Sequence, residues 1–425
     1  APQVVSVVAP GFLAQPGKFS MTVELTRILF PTLLFVSMAA LWMGALNSLH
    51  RFGAPAFAPV FMNLAQILVG VALITVWKGD GPEVELRNIR LWTFAMTLGM
   101  FLQWVTQVPA GWKAGIRVGL RWPPRHPGVG EILGLMGPSV ASSSVMQVNL
   151  LINQFFASFL ATGYVSYLYY GNRLMQLPFG VLGVSIATVT FPLLSRHAAT
   201  GAWGSFSREL NRAFLTGLFL MVPATVGICV VAEPACRLAF EYGKFTPEAT
   251  QAAAEATLLY ALGLVAYTGT KVLLPAFYAF GDRSTPLRAS LASVAANIGL
   301  NTAVFLWIAD PRHRFWGLAL ATSFGALVNM AWLLSGLKGV KVRFPFAKTL
   351  TEVAKILLAS LVMGGATWGV LQGVRSIEIP WGRFFEFAVP VAVGAAVYFT
   401  LALKMRLEGV LWVSQGILGK FRRER

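Results

Sequence analysis

Charge is scarce in this 425-residue chain: 12% of it is Asp, Glu, Lys or Arg, against about 25% in an ordinary soluble domain. Sulfur and imidazole are scarcer still. Cys229 and Cys236 are the two cysteines, and on one helix their Cα atoms would stand about 10 Å apart, beyond the reach of a disulfide. His50, His126, His197 and His313 are isolated and lack metal-ligand spacing. The sequence also has no glycine-rich phosphate loop, zinc signature or local nucleophile–base set. These absences exclude a soluble enzyme, a disulfide-stapled domain and a cysteine or histidine metal centre. They leave a non-enzymatic membrane protein as the expectation.

What is present agrees. The chain is 56% hydrophobic, with a mean hydropathy of +0.65. Apolar stretches read approximately as 24–49, 54–77, 91–111, 131–160, 164–195, 211–232, 251–280, 285–309, 315–337, 352–372 and 384–403. Each is long enough to cross a hydrocarbon core of about 30 Å as a helix. Alternating strands of the barrel type are absent. The expected fold is therefore all-α and polytopic. Val4 to Pro10 reads as the end of an apolar segment, without the basic start of a signal peptide, so natural sequence is expected to precede Ala1.

The net charge of +17 comes from 34 Lys and Arg against 17 Asp and Glu. Its distribution is topological. One alternating set of loops holds Arg51, Lys113, Arg117, Arg121, Arg125, Arg196, Arg208, Arg212, Arg283, Arg288, Lys338, Lys341, Arg343, Lys348, Lys404, Arg406 and the basic tail. The other set is less basic and carries most loop carboxylates, including Glu83, Glu85, Glu233, Glu241 and Asp310. The positive-inside rule assigns the first set, and the C-terminus, to the cytoplasm. No nucleic-acid partner is needed to explain the charge.

The organisation expected is a partial N-terminal helical lobe at 1–112, a basic Pro-rich linker at 113–130, a second lobe at 131–338, and a helix pair with a basic tail at 339–425. Arg196 to Arg212 reads either as an amphipathic helix on the membrane surface or as a loop. An echo links Leu29–Val71 to Leu258–Val304: each has a long helix, a basic turn, a proline and a helix carrying Asn63 or Asn297. True repetition and shared helix-turn-helix architecture both explain it.

Two basic residues lie well inside the apolar stretches, Arg173 and Lys271, with no carboxylate comparably placed. A cation within hydrocarbon is a functional hypothesis by default. A water-filled cavity receiving an anion explains the pair, with arginine suited to phosphate through its planar fork. Snorkelling or capping of backbone carbonyls is the competing reading. Pro178 and Pro275 follow the two cations and are expected to kink their helices. The preceding stretch is polar, with Ser139, Ser143 and Gln147 on one helical face and Asn149 and Asn153 beside it. That face fits a hydrophilic cavity or interhelical hydrogen bonds equally. Asn297, Asn301, Thr322 and Asn329 offer neutral oxygens to sodium, without an acidic ligand. Gly183/Ala187 and Gly365/Gly369 have the spacing of close helix packing.

Several segments resemble one family. Asn47-Ser48-Leu49-His50-Arg51-Phe52-Gly53-Ala54-Pro55, Asn153-Gln154-Phe155-Phe156-Ala157-Ser158, Leu177-Pro178-Phe179-Gly180-Val181, Phe191-Pro192-Leu193-Leu194-Ser195-Arg196, Tyr242-Gly243-Lys244-Phe245-Thr246 and Lys271-Val272-Leu273-Leu274-Pro275 are similar, in the same order, to the MurJ (MviN) lipid II flippases. That family belongs to the multidrug/oligosaccharidyl-lipid/polysaccharide exporter superfamily. The resemblance implies two six-helix lobes plus a C-terminal pair, and translocation of the undecaprenyl-pyrophosphate-linked peptidoglycan precursor (lipid II) to the periplasmic leaflet by alternating access. It implies that Arg173 engages the pyrophosphate, that Lys271 and Ser166 line the cavity, and that the C-terminal pair holds the lipid tail. Gln147 and Asn149 complete the expected substrate set. Against the family pattern, the chain is expected to lack the first two helices and much of the third. The family's sodium site shows no acidic ligand here, so sodium and membrane potential both stand as energy sources, with no other cofactor.

The expected partners are lipid II and membrane lipids, for a monomer in the bacterial inner membrane. Three other readings compete: a flippase for another polyprenyl-linked polysaccharide unit, a drug exporter, and a membrane-embedded glycan polymerase. The drug exporter would need a cavity carboxylate. The polymerase would need Glu233, Glu241 or Glu378 as a catalytic acid.

Overall fold

The computed structural model describes residues 1–79, 81–117, 147–337, 344–377 and 382–410, with Gly130 and Met136. Ser139, Ser143, Glu131, Glu378 and most of the 113–130 linker lie outside the described residues. Among the described residues there is no strand. The chain divides into two compact units, Ala1–Gly137 and Pro138–Arg425.

The first unit contains α1 (Pro2–Val8), a 3-10 turn (Pro10–Ala14), α2 (Pro16–Leu29), α3 (Thr32–Ser48), α4 (Gly53–Thr75), α5 (Pro82–Val105) and α6 (Val108–Lys113). Helix α5 packs on α2, α3 and α4. The Thr97 hydroxyl donates to the Ile28 carbonyl at 2.8 Å, and Phe35 stacks on Trp104 with centroids 6.1 Å apart. Arg90 and Glu24 form an ion pair at 2.6 Å.

The second unit contains α7 (147–157), α8 (Tyr164–Pro178), a π-helical turn (Phe179–Gly183), α9 (Val184–Ala199), α10 (Trp203–Phe240), α11 (Pro247–Ala261) and α12 (Leu264–Ala279). It continues with α13 (Ser284–Trp307), α14 (Pro311–Gly336), α15 (Phe346–Arg375) and α16 (Gly382–Lys404). Its largest core brings Phe206, Leu210, Phe219, Phe277, Leu333, Ile356 and Tyr398 together. The C-terminal helix pair therefore shares a core with the rest of the unit. The Tyr398 hydroxyl donates to the Phe219 carbonyl at 2.6 Å in that core, which satisfies a phenol buried among apolar groups.

Among the described residues, seven helices are long and apolar enough to span a membrane, and α11 with α12, bent by 40°, makes an eighth. About eleven were expected from the apolar lengths. Helix α5 falls short because Glu83, Glu85, Arg87 and Arg90 occupy its first half. The 164–195 stretch is broken by the π-helical turn.

Charge sorts the second unit into two ends. Between Arg212 and Glu233, α10 carries no charged residue, a length of about 30 Å. The same holds from Lys355 to Arg375 on α15 and from Glu386 to Lys404 on α16. Glu233, Arg375 and Glu386 should then lie at one membrane boundary, and they meet: Arg375–Glu233 is 2.9 Å and Arg375–Glu386 3.9 Å. Arg237 joins them, 3.3 Å from Glu233 and 3.2 Å from Glu386. Glu241 takes Arg383 at 3.2 Å and the Thr250 hydroxyl at 2.7 Å. At the opposite, basic end, Thr349 donates to Asn211 at 2.7 Å, and Lys348 pairs with Glu408 at 2.6 Å.

Several expectations change. Arg196 to Arg212 does not form a separate surface helix. After α9 the chain turns at Gly201 (φ 66°), and Trp203 begins α10, whose first turns bury Phe206 and Leu210 completely. Pro178 is followed by the π-helical turn, as a disrupted ladder allows. Pro275, in contrast, lies inside α12, and the bend falls at Leu262–Gly263, where a Cβ on Gly263 would stand 3.0 Å from Ser323 Oγ. Glu352 is 7% exposed, but it lies in the first turns of α15 and pairs with Lys355 at 2.7 Å. Gly365 and Gly369 meet nothing within 4 Å, whereas Gly364 faces Val226 at 2.6 Å and Gly183 faces Thr268.

The internal echo has a local cause. At the first turn the Arg51 N–H bonds to Leu46, and at the second the Asp282 N–H bonds to Phe277. His50 and Gly281 are left-handed at these places. This is the Schellman helix end. It recurs at Ile116 to Gly111, Ala202 to His197 and Leu407 to Ala402, so shared architecture suffices to explain the likeness.

The tightest glycine in the second unit's α8–α11 contact is Gly171, where a Cβ would lie 2.6 Å from Ala256 Cβ and 2.8 Å from Thr257 N. Gly171→Val is expected to destabilise the purified protein by about 1–3 kcal/mol. Gly369→Val, at a position with open space, should change its melting midpoint little. Replacing Arg237 by Met removes one partner each from Glu241 and Glu386, whose side chains are only 11% and 18% exposed, and leaves Arg383 and Arg375 to hold them. The melting midpoint should fall by several degrees, and the loss should shrink in about 1 M salt, where screening weakens the native network.

Candidate functional site

The face of α8 that does not pack is polar. Leu168, Gly171 and Met175 are buried on one side, and Gly171 sets α8 directly against α11. With that side fixed, Ser166, Tyr169, Arg173 and Gln176 recur at helical spacing on the other and are all exposed. Arg173 Nε donates to the Tyr169 hydroxyl at 3.3 Å, and its guanidinium lies 5.6 Å from the Tyr169 ring centroid, within cation–π range. Gln176 donates to Asn172. Among the described residues no carboxylate pairs with Arg173.

Depth follows from contacts. Gly171 meets Thr257, and Thr257 lies 3.6 Å from Cys236 on α10. Arg173 is thus level with the last turns of α10, near Glu233, rather than in mid-span. Lys271 is half-buried, and its neighbours Thr268 and Val272 face Gly217. From Gly217 to Cys236, α10 rises about 28 Å. The two cations therefore lie toward opposite membrane boundaries and do not converge on one compact anion. Ser166 shares the stripe of Arg173. Gln147 is exposed on α7, and Asn149 is half-buried. The side-chain oxygens of Asn149 and Asn153 are buried without a partner, which suits water or a polar ligand.

The neutral-oxygen set is partly taken up by hydrogen bonds of its own. Asn297 and Asn301 are fully buried, and the Asn301 amide donates to Asn297 Oδ1 at 3.0 Å. That leaves Asn301 Oδ1 as the one unpaired acceptor of the two. The Thr322 hydroxyl donates to the Leu318 carbonyl at 3.0 Å. Among the described residues no group of three or more His, Cys, Asp or Glu is arranged to hold a metal ion.

A second feature is an apolar groove of about 730 Å³ between α10, the α11–α12 bend and α15, lined by Val222, Val226, Cys229, Leu357, Leu361 and Trp368. Missed from the sequence was the ion-pair network, whose partners lie far apart along the chain. It also bears on the polymerase reading: Glu233 is held by Arg237 and Arg375, and Glu241 by Arg383 and Thr250. Both candidate acids are committed to holding helices together.

Comparison with known proteins agrees with this architecture. A family model described as lipid II flippase MurJ matches residues 1–387. A probable lipid II flippase MurJ of Vibrio cholerae is 36% identical over 390 residues, covering 91% of this chain and 72% of its own length. The lipid II flippase MurJ of Burkholderia cenocepacia is 31% identical over 429 residues, covering 99% of this chain and 78% of its own. Among solved structures, an inward closed lipid II flippase MurJ superposes with a TM-score of 0.73 at 24% identity, over 95% of this chain and 81% of that one. An inward-facing MATE family multidrug transporter gives 0.63 at 15% identity, over 80% of this chain and 78% of its own. By its family match over residues 1–387 and these relatives, this multi-pass membrane protein belongs to the lipid II flippase MurJ family.

Proposed function

We propose that this chain is a flippase that moves lipid II from the cytoplasmic to the periplasmic leaflet by alternating access. The observation that carries the reading is Arg173, a cation without a carboxylate partner among the described residues, exposed on the polar stripe of α8 near the ion-paired boundary. Family membership supplies the substrate class. A diphosphate is the anion that suits a guanidinium fork.

The separation of Lys271 and Arg173 makes capture sequential. Lys271, nearer the basic end, meets the headgroup first, and Arg173 receives it near the ion-paired end. The positive-inside rule supports a cytoplasmic basic end and C-terminus, and family membership supports the bacterial inner membrane. The polyprenyl chain runs in lipid and along the apolar groove beside α15. An inside-negative potential favours outward movement of the anionic headgroup, by about 2.3 kcal/mol per charge per 100 mV. Membrane potential is the energy source used in this scheme, and sodium coupling stands beside it. The chain acts as a monomer in this scheme.

The test follows a labelled lipid II from the inner to the outer leaflet of reconstituted vesicles. Arg173→Ala should slow its appearance at least tenfold while leaving insertion and melting midpoint unchanged, the loss of one charge-assisted contact. Arg173→Lys should restore part of the rate, because it keeps the charge without the fork. Undiminished transport by Arg173→Ala would remove this residue from substrate capture.

A further inference from the structure

A second cavity, of about 800 Å³, lies at the basic end of the second unit, away from Arg173 and the apolar groove. It opens where the first turns of α10 meet the start of α15 and the chain after α16. Asn211, which lines it, accepts a buried hydrogen bond from Thr349. Arg208, Arg212 and Lys348 line it with Trp203 and Ser207.

Its charge balance is positive. Glu209 and Glu408 are the acids of the lining, and Glu408 is already paired with Lys348 at 2.6 Å. The Arg208 guanidinium is exposed, with the Ser205 hydroxyl at 3.0 Å. Among the described residues no carboxylate pairs with it. Backbone geometry adds to this field. Trp203 and Gly204 are the first residues of α10, Pro345 immediately precedes α15, and all three line the cavity. Neither helix start has a side-chain cap hydrogen bond. Two long helices thus start beside one space that also holds arginines, and their positive ends add to its field.

Level decides the source of the anion. Arg212 is the last charge before the charge-free stretch of α10, so the cavity sits at the hydrocarbon boundary, where phospholipid phosphates lie. Apolar Phe346 and Leu350 are exposed beside Lys348, at 41% and 70%, and offer a surface to the glycerol and upper acyl chain. Basic pockets between membrane helices at this level suit lipid headgroups.

We propose that this cavity binds the phosphate headgroup of an anionic phospholipid, which bridges α10 and α15 at the basic end as the ion-pair network does at the other. The site is independent of lipid II transport.

The experiment measures the melting midpoint of the full chain in neutral detergent, titrated with phosphatidylglycerol, phosphatidylcholine or inorganic phosphate. Phosphatidylglycerol should raise the midpoint, and phosphatidylcholine should do so much less. Arg208→Glu should weaken the phosphatidylglycerol response about tenfold or more, with little change in the lipid-free midpoint, since Arg208 is exposed. Glu209→Gln should strengthen the response, a change in the opposite direction that a folding defect cannot produce. Equal responses of the native chain and Arg208→Glu would overturn the site. An equal rise with inorganic phosphate alone would overturn the lipid assignment in favour of a soluble anion.

Discussion

The cost of placing charge in hydrocarbon organises this molecule. A charged side chain at the bilayer centre costs roughly 2.5–3.5 kcal/mol on insertion scales, and the second unit obeys that constraint helix by helix. Helices α10, α15 and α16 each have a charge-free interval bounded by charges. The packing brings those boundary charges together in space: Glu233, Arg237, Arg375 and Glu386 at one end, Lys348 and Glu408 at the other. Ion pairs that would be worth little in water gain from partial burial and mutual support. Because α10 runs the whole depth with its core residues shared by α15 and α16, the two charged ends are connected by one rigid element.

In the proposed scheme that arrangement gives transport a direction. Lys271 and Arg173 depart from the pattern by standing inside apolar stretches without acidic partners among the described residues, and they stand at different depths. A headgroup with two phosphates is far shorter than the rise separating Gly217 from Cys236, so it can be held at one level or the other. Two held positions and a change of access between them are the elements of alternating access. The helix breaks lie between these levels: the π-helical turn after Pro178 and the 40° bend at Leu262–Gly263. Gly183, at the end of the first, faces Thr268, just beyond the second, so a movement at one break is felt at the other.

The spans, their all-helical nature and the basic end were legible because they follow from local length and composition. Arg173 was legible as an exception to the same rule. Its depth was not, because counting from the start of an apolar stretch assumes that the stretch begins at the membrane boundary, whereas Gly171 is fixed by Ala256 and Thr257 from another helix. Pro275 predicted a bend that falls instead at Gly263. A proline removes one hydrogen bond, but the approach of Ser323 and Tyr267 to Gly263 decides where the chain turns. Likewise Gly364 and Gly365 are equivalent in sequence, and only the position of Val226 makes the first a contact and the second an open surface.

The matching of charges at the ion-paired end accounts for the availability of Arg173. Glu233, Glu241 and Glu386 stand at about its level, and any of them would be an attractive partner. Each is instead taken by Arg237, Arg375 or Arg383, while Glu255 is taken by Arg312 and by the Trp316 indole. Carboxylates that already have good partners gain little from another cation and would lose geometry by turning toward it. Tyr169 completes the arrangement, since a ring and a neutral hydroxyl restrain the guanidinium without neutralising it. The network that fastens the C-terminal pair therefore also leaves one arginine uncommitted, facing outward from α8, for an anion that the protein does not itself provide.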